Sequence, residues 1–342
     1  MSIIGWDIGG VNIKAARLGH EQDASVLRSV SVPYEVQRDP GILAAMLRAA
    51  AGEVGHANGD LHGVTMTAEL SQAFRTKREG VHFVLDAVEA AFPGARQYTY
   101  TVEGEFVGPE EARRHPLLVG ASNWSATAHW VAHSIPSCVL IDIGTTSTDL
   151  IPIIEGRVVA AGRTDPERLL TGELVYSGAL RTPAEAVLQH VPLWGGEAGV
   201  SADGFALIGD AHVWRGALSS HDYTCRAPDG RPATRLFAGE RLARMVCADR
   251  EMLDDSAIDG IASALAEAQL RTIVRALDRI LAAFPSISLA VVTGLGDFIA
   301  EHAARGAGLT TIHLDHQLGP ASRTAPAAAV ASLLSEWLES ER

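Results

Sequence analysis

The chain has 342 residues, a formal net charge of −13, 47% hydrophobic residues and 20% charged ones. That composition belongs to a globular protein with room for two cored domains, and its acidity excludes nucleic acid as a partner, since phosphate backbones need a basic footprint. Three scattered cysteines, Cys138, Cys225 and Cys247, exclude a zinc framework or a disulfide scaffold, and no stretch has the length and apolarity of a membrane span. The first apolar run is broken by Asp7 and lacks a basic leader, so no secretory signal is expected and the expected compartment is cytoplasm.

In chain order, residues 3–18 read as a β-hairpin and Ser25 to Tyr34 as a third strand. Asp39-Pro40 offers an N-cap and a first-turn proline, and Ile42, Leu43, Met46 and Leu47 follow at helical spacing, which predicts a helix over 40–53. A strand at Gly63–Thr67, a helix over 77–92 and a strand at Tyr98–Val102 come next. Leu117–Ala121 leads into Ser122–Ala128, the start of a helix ending before Pro136. The second half repeats the order. Val139–Ile143 and Leu150–Ile154 form a hairpin, and Arg157–Ala161 a third strand. Residues 190–235 read as an insertion with a helix near Ala206–Leu218. Helices follow over 239–250 and 256–284, then a strand at Ser288–Thr293, a helix from Asp297, a strand at Thr310–Leu314 and an Ala-rich helix over 323–339.

The two hairpins carry the chemistry. In each, a strand runs into Asp-x-Gly and a returning strand leaves it: Asp7-Ile8-Gly9 first, Asp142-Ile143-Gly144 second. Gly9, Gly10 and Asn12 in one turn, and Gly144, Thr145, Thr146 and Ser147 in the other, supply backbone N–H and side-chain groups suited to wrapping a phosphate. Asp7 and Asp142 sit at strand ends where a carboxylate can hold hydrated Mg²⁺, and Asp149 is a further metal candidate. Only two residues are lysine, and one of them, Lys14, directly follows the first turn; its thin stem and compact charge suit phosphate. A late strand running through Gly294-Leu-Gly296 into a helix suits a nucleotide. His129 and His133 have i,i+4 spacing but lack an adjacent glutamate, so they read as solvent-facing helix positions rather than a zinc pair.

Two Asp-x-Gly hairpins and a late Gly-x-Gly loop resemble the acetate kinase, sugar kinase, Hsp70 and actin superfamily. That resemblance implies an α/β fold of two ribonuclease-H-like domains around a central cleft, over about 1–136 and 137–322 with a closing helix at 323–342. It adds ATP or ADP as a ligand and a homodimer as an assembly. One departure is plain: Val11 and Asn12 replace the hydroxyls that superfamily kinases carry in the first loop.

A narrower likeness lies in Asp7–Lys14, Met66-Thr-Ala-Glu-Leu70, Ala121-Ser-Asn-Trp124, Asp142–Asp149, Gly172-Glu-Leu-Val-Tyr176 and Leu180-Arg-Thr-Pro183. Together these resemble the hydantoinase/oxoprolinase-related proteins of the tetrahydromethanopterin-linked one-carbon pathway, whose archaeal branch makes methanofuran. The resemblance implies a transferase that condenses an (aminomethyl)furan-methyl diphosphate with the phenol of tyramine or (γ-glutamyl)tyramine and releases diphosphate. Mg²⁺ near Asp7 and Asp142, aided by Lys14, would then neutralise the leaving group. Glu69 and Glu173 become candidates for the base that takes the phenol proton, and Asn123, Trp124 and Arg181 for substrate contacts. The competing expectation is an ATP-dependent small-molecule kinase or an oxoprolinase-type amidohydrolase.

Overall fold

The computed structural model describes residues 2–21 and 24–341. The first sheet is built on β1 (Ile3–Ile8), whose six residues are all buried, as an apolar strand covered on both faces should be. β2 (Asn12–Glu21) returns antiparallel with Ile13 opposite Ile8, and β3 (Ala24–Pro33) pairs outside it. A 3₁₀ turn at Pro40–Ile42 precedes α1 (Leu43–Glu53); Asp39 stands at the cap position, but its side chain makes no capping hydrogen bond. β4 (Leu61–Met66) then pairs parallel to β1. α2 (Lys77–Ala91) starts where Thr76 accepts a hydrogen bond from the Glu79 amide. β5 (Gln97–Tyr100) lies parallel to β4, and β6 (Phe106–Val107) closes the sheet in the order β3-β2-β1-β4-β5-β6. α3 (Pro109–Arg114), α4 (Pro116–Val119) and α5 (Asn123–Ser134) follow.

The second sheet has β7 (Cys138–Ile143) at its centre and β8 (Thr148–Ile154) beside it. The expected third strand over Arg157–Ala161 is cut to two residues, β9 (Arg157–Val158), pairing with Ile153 and Ile154 across a tight turn in which Glu155 and Gly156 both take positive φ. After α6 (Asp165–Thr171), β10 (Leu174–Val175) pairs with β8 at Asp149 and Thr148. α7 (Ala184–Val187) precedes the insertion, which contains a hairpin of β11 (His190–Leu193) and β12 (Gly196–Gly199), and α8 (Ile208–Trp214). α9 spans Arg235–Arg244 rather than 239–250: the chain turns out of the helix after Met245, and Cys247 adopts a positive φ. α10 (Asp255–Ala283) is capped by Asp254, and with α8 and α9 it encloses a core of Ile208, Trp214, Leu242, Ile258 and Leu265. β13 (Leu289–Thr293), α11 (Asp297–Gly306), β14 (Thr310–His313), α12 (Asp315–Leu318) and α13 (Ala325–Ser340) complete the chain. The sheet order is β10-β8-β7-β13-β14 with β9 also on β8, so each sheet begins with a hairpin and continues on the other side of its first strand.

Contacts divide the chain into two units. The first runs through Leu140, resumes over Ile151–Arg168 and takes in the stretch from His313; the second comprises Ile141–Leu150 and Leu169–Ile312. In the first unit α1 and α2 cover one sheet face, over Ile4, Trp6 and Ile8, while α5 and α13 cover the other. α13 sits close because Gly5 and Gly63 are register partners on β1 and β4. A Cβ on Gly5 would lie 2.6 Å from the Ala331 amide nitrogen, and one on Gly63 2.6 Å from Val330. The Ala-rich helix thus lies in a glycine groove, and the small residues on both sides are set by packing. Among the described residues no helix is long and apolar enough to cross a membrane.

Candidate functional site

The two Asp-x-Gly turns have the same closure. The Gly9 amide donates to the Asn12 carbonyl at 2.9 Å, and the Gly144 amide to the Ser147 carbonyl at 2.9 Å. In the first turn Lys14 lies opposite Asp7 in the β1–β2 register and its Nζ donates to Asp7 Oδ2 at 3.0 Å. Asp7 is almost wholly buried, and its Oδ1 and the Asn12 Oδ1 are buried with no hydrogen-bond partner. A buried acceptor left unmatched is costly, and these two oxygens are the ones at this turn able to take a cation or a donor. Gly9 and Gly10 are half-buried, and the Tyr34 and Val36 amides cover the Val11 and Gly10 carbonyls.

In the second turn Asp142, Gly144, Thr145, Thr146 and Ser147 are all half-buried, and Asp149 is buried on β8. Gly294 and Gly296 reach this turn from the end of β13. Gly294 has φ +92°, and a Cβ there would press into the Ile143 carbonyl and lie 2.5 Å from Asp142 Oδ1. The Gly296 amide donates to the Ile143 carbonyl at 2.8 Å. Both glycines are therefore required by packing against the strand that carries Asp142, whatever binds nearby. Among the described residues no group of three or more His, Cys, Asp or Glu is arranged to hold a metal, so a Mg²⁺ at either turn would complete its shell with phosphate and water oxygens.

Glu69 stands on a 3₁₀ turn directly after β4, and the Thr67 amide ties that turn to the Ile8 carbonyl at the end of β1. The carboxyl is fully buried and neither oxygen has a hydrogen-bond partner. Lys77 Nζ lies 3.7 Å from Glu69 Oε1 and 2.6 Å from Asp165 Oδ2. Burial pushes the Glu69 pKa up to about 7, with the Lys77 charge pulling the other way. A carboxyl that titrates near neutrality, held dry beside an ammonium, is equipped to accept a proton. Glu173 is built differently. It is buried beside β10 and accepts a hydrogen bond from Thr171 Oγ1 at 2.9 Å, while its own carbonyl takes the Leu150 amide.

Asn123 opens α5 and is half-buried, and the preceding Ala121 is held at φ +52°. Trp124 is buried with the Arg168 guanidinium 4.2 Å over its ring, so one stacking face is taken; its indole N–H has no partner. Arg181 is exposed, while its amide donates to the Thr145 carbonyl at 3.0 Å. His129 is not the solvent-facing residue expected from spacing. It is half-buried against Tyr100 and bonded to the Ser125 carbonyl, and burial lowers its pKa, whereas His133 is exposed beside Glu336.

Sequence reasoning passed over Lys77, Asp165 and Arg168. Lys77 had a signal, as the second of only two lysines in the chain.

A hairpin-led sheet of the same order in each half, with an Asp-x-Gly turn between its first two strands, defines the actin- and sugar-kinase-like ATPase fold. A solved acetone carboxylase, described as a nucleotide-free structure in a study of ATP-dependent acetone carboxylation, shares it with a TM-score of 0.58 at 11% identity, over 96% of this chain and 70% of that one. The family model for Hydantoinase/oxoprolinase matches residues 60–337, and the chain belongs to that family. A curated relative from Methanocaldococcus jannaschii is 35% identical over 338 residues, 98% of each chain; it is named (4-{4-[2-(gamma-L-glutamylamino)ethyl]phenoxymethyl}furan-2-yl)methanamine synthase. A Methanococcus vannielii protein of the same name is 31% identical over 177 residues, 52% of this chain and 79% of the relative.

Proposed function

We propose that this chain is the enzyme that forms the furan–phenol ether of a methanofuran-type cofactor. It condenses an (aminomethyl)furan-methyl diphosphate with the phenol of tyramine or (γ-glutamyl)tyramine and releases diphosphate. One observation carries the reading: 35% identity along 98% of a synthase whose product name contains the phenoxymethyl-furan linkage. In the step, the bond between the furan-methyl carbon and diphosphate oxygen breaks, and the phenol oxygen forms the new bond to that carbon. The furan oxygen shares positive charge as the leaving group departs, so the protein's main task is to hold the developing diphosphate charge.

Lys14 with the Gly9–Asn12 amides in one turn, and the Gly144–Ser147 amides in the other, are each built to hold phosphate oxygens, which is consistent with two turns of identical closure. Val11 and Asn12 in place of loop hydroxyls suit a site reshaped for a leaving diphosphate. The orphaned Asp7 Oδ1 in the first turn and, separately, the Asp142 carboxylate in the second each suit a Mg²⁺, which would neutralise phosphate oxygens when bound. Glu69 takes the phenol proton. Its burial and its pKa near 7, beside the Lys77 ammonium, favour it over Glu173, one of whose oxygens already accepts from Thr171. Asn123 and the Trp124 indole N–H contact substrate, and the exposed Arg181 attracts its charged groups.

The alternative, an ATP-dependent kinase or amidohydrolase, would put nucleotide phosphates at the same turns. A paired assay on purified protein with Mg²⁺ separates the two. One arm supplies the furan diphosphate with tyramine or glutamyltyramine, the other ATP with and without those amines. An ether of the expected mass with diphosphate release, abolished by Asp142→Asn, supports the synthase. ATP turnover with no ether overturns it.

A further inference from the structure

Gln269 lies in the middle of α10, far in sequence from either phosphate turn, and is almost fully buried. A glutamine there must match every polar atom. Its Nε2 donates to Ser177 Oγ at 2.9 Å and to the Gly178 carbonyl at 2.7 Å. Its Oε1 accepts from His212 Nε2 at 2.8 Å. With both amide hydrogens directed at oxygens, the amide orientation is set, and His212 must carry its proton on Nε2. Burial holds His212 neutral, with a pKa of about 4.

The segment so anchored, Ser177–Arg181, is a strap pressed against the second phosphate turn. The Ala179 amide donates to the Gly144 carbonyl at 2.9 Å, and the Leu180 and Arg181 amides to the Thr145 carbonyl at 3.1 and 3.0 Å. The approach is close enough that a Cβ on Gly178 would sit 2.6 Å from the Thr146 nitrogen. In a trans peptide the C=O and the following N–H point in opposite directions. Carbonyls of Gly144 and Thr145 turned toward the strap therefore aim the amides of Thr145 and Thr146 away from it, as an anion cradle needs. Thr148 Oγ1, donating to the Ser177 carbonyl at 2.7 Å, ties the far end of the turn to the same strap.

We propose that Gln269 is a positioning residue for diphosphate: held by His212, it fixes the Ser177–Arg181 strap, which aims the Thr145 and Thr146 amides at the leaving group. This rests on the reading that the second turn binds diphosphate. The test is calorimetric titration of the full chain with inorganic diphosphate and Mg²⁺, beside thermal melts. Gln269→Leu keeps the volume and removes the three hydrogen bonds; it weakens binding by about tenfold. Ser177→Ala removes the hydroxyl's bonds to Gln269 and to Thr182 Oγ1, leaves the strap backbone intact and weakens binding by about threefold, which keeps the test decisive if Gln269→Leu fails to fold. Ile273→Val, a cavity in the same helix, lowers the melting temperature without changing diphosphate affinity. Wild-type affinity in Ser177→Ala and in folded Gln269→Leu, or an equal loss in Ile273→Val, overturns the positioning role. Wild-type protein that binds no diphosphate overturns the parent reading as well, and the wild-type arm shows which has failed.

Discussion

Replacing Glu69 by glutamine removes a buried charge without changing shape, and its effect on stability can be worked from the structure. The carboxyl has a folded pKa of about 7 against an ordinary value of 4.5, raised by burial. A group whose folded pKa is raised binds more protons folded than unfolded between those two values, so stability falls as pH climbs from about 4.5 to 7. At 1.36 kcal/mol per pKa unit the ionised carboxylate costs the fold about 3 kcal/mol above neutrality. Glu69→Gln cannot ionise and escapes that cost. His62, buried against Trp6 and Phe92 with its pKa lowered to about 4, has the opposite slope, losing stability as pH falls from 6.5. The wild-type profile alone is therefore a sum, whereas the difference between variant and wild type isolates Glu69. Urea melts at pH 5 and pH 8 are expected to show the variant gaining about 3 kcal/mol relative to wild type between the two. Ether formation in the same variant is expected to fall by about 10²–10⁴-fold, the usual contribution of a general base. In wild type the rate should rise with pH through about 7. A stability difference that does not change with pH would show that the carboxyl is not desolvated. Full activity in the variant would remove it from the proton transfer.

Lys14→Met leaves the buried Asp7 carboxylate without the cation 3.0 Å away and should cost about 3 kcal/mol, the low end for a broken buried pair because Lys14 is a quarter exposed; denaturant titration measures it. Gly294→Ala forces a left-handed φ and a clash with the strand carrying Asp142, so a loss above about 2 kcal/mol is expected, together with weaker Mg²⁺-diphosphate binding. Asp210 and Arg241 form a wholly buried pair at 2.6 Å, and Asp210→Leu alone should cost about 3–5 kcal/mol. Arg241 also pairs with Asp229 at 3.1 Å and the Leu207 amide donates to Asp210, so part of that loss should return in the double variant Asp210→Leu/Arg241→Met, and a double variant as unstable as the single would refute the reasoning. The buried neutral His212 has a folded pKa of about 4, below its unfolded value, so its contribution is lost as pH falls from 6.5 to 4. His212→Gln should flatten that part of an acid-unfolding profile.

Local pattern determined much of this protein. β1, β4 and β7 are apolar runs, α1, α2 and α10 carry helical spacing, and each Asp-x-Gly turn is short enough for its residues to dictate a hairpin; all are found close to where the sequence puts them. The family was legible too, because its motifs are contiguous. What the sequence could not decide is which distant residues share a surface. The sequence offered Glu69 and Glu173 as equal candidates for a base; only the structure shows that Glu69 is buried beside Lys77, which in turn pairs with Asp165. Gly294 and Gly296 read as a nucleotide loop in one dimension; only the structure shows that they also let a crossing loop rest on Ile143 and Asp142. The third strand of the second sheet starts at Arg157 as expected but is short, because β9 and β10 divide the edge of β8 between them, β9 at Ile153 and Ile154 and β10 at Thr148 and Asp149. Gln269 gave no signal at all: its role depends on hydrogen bonds to residues about ninety positions away, fixed by long-range packing that local periodicity does not encode.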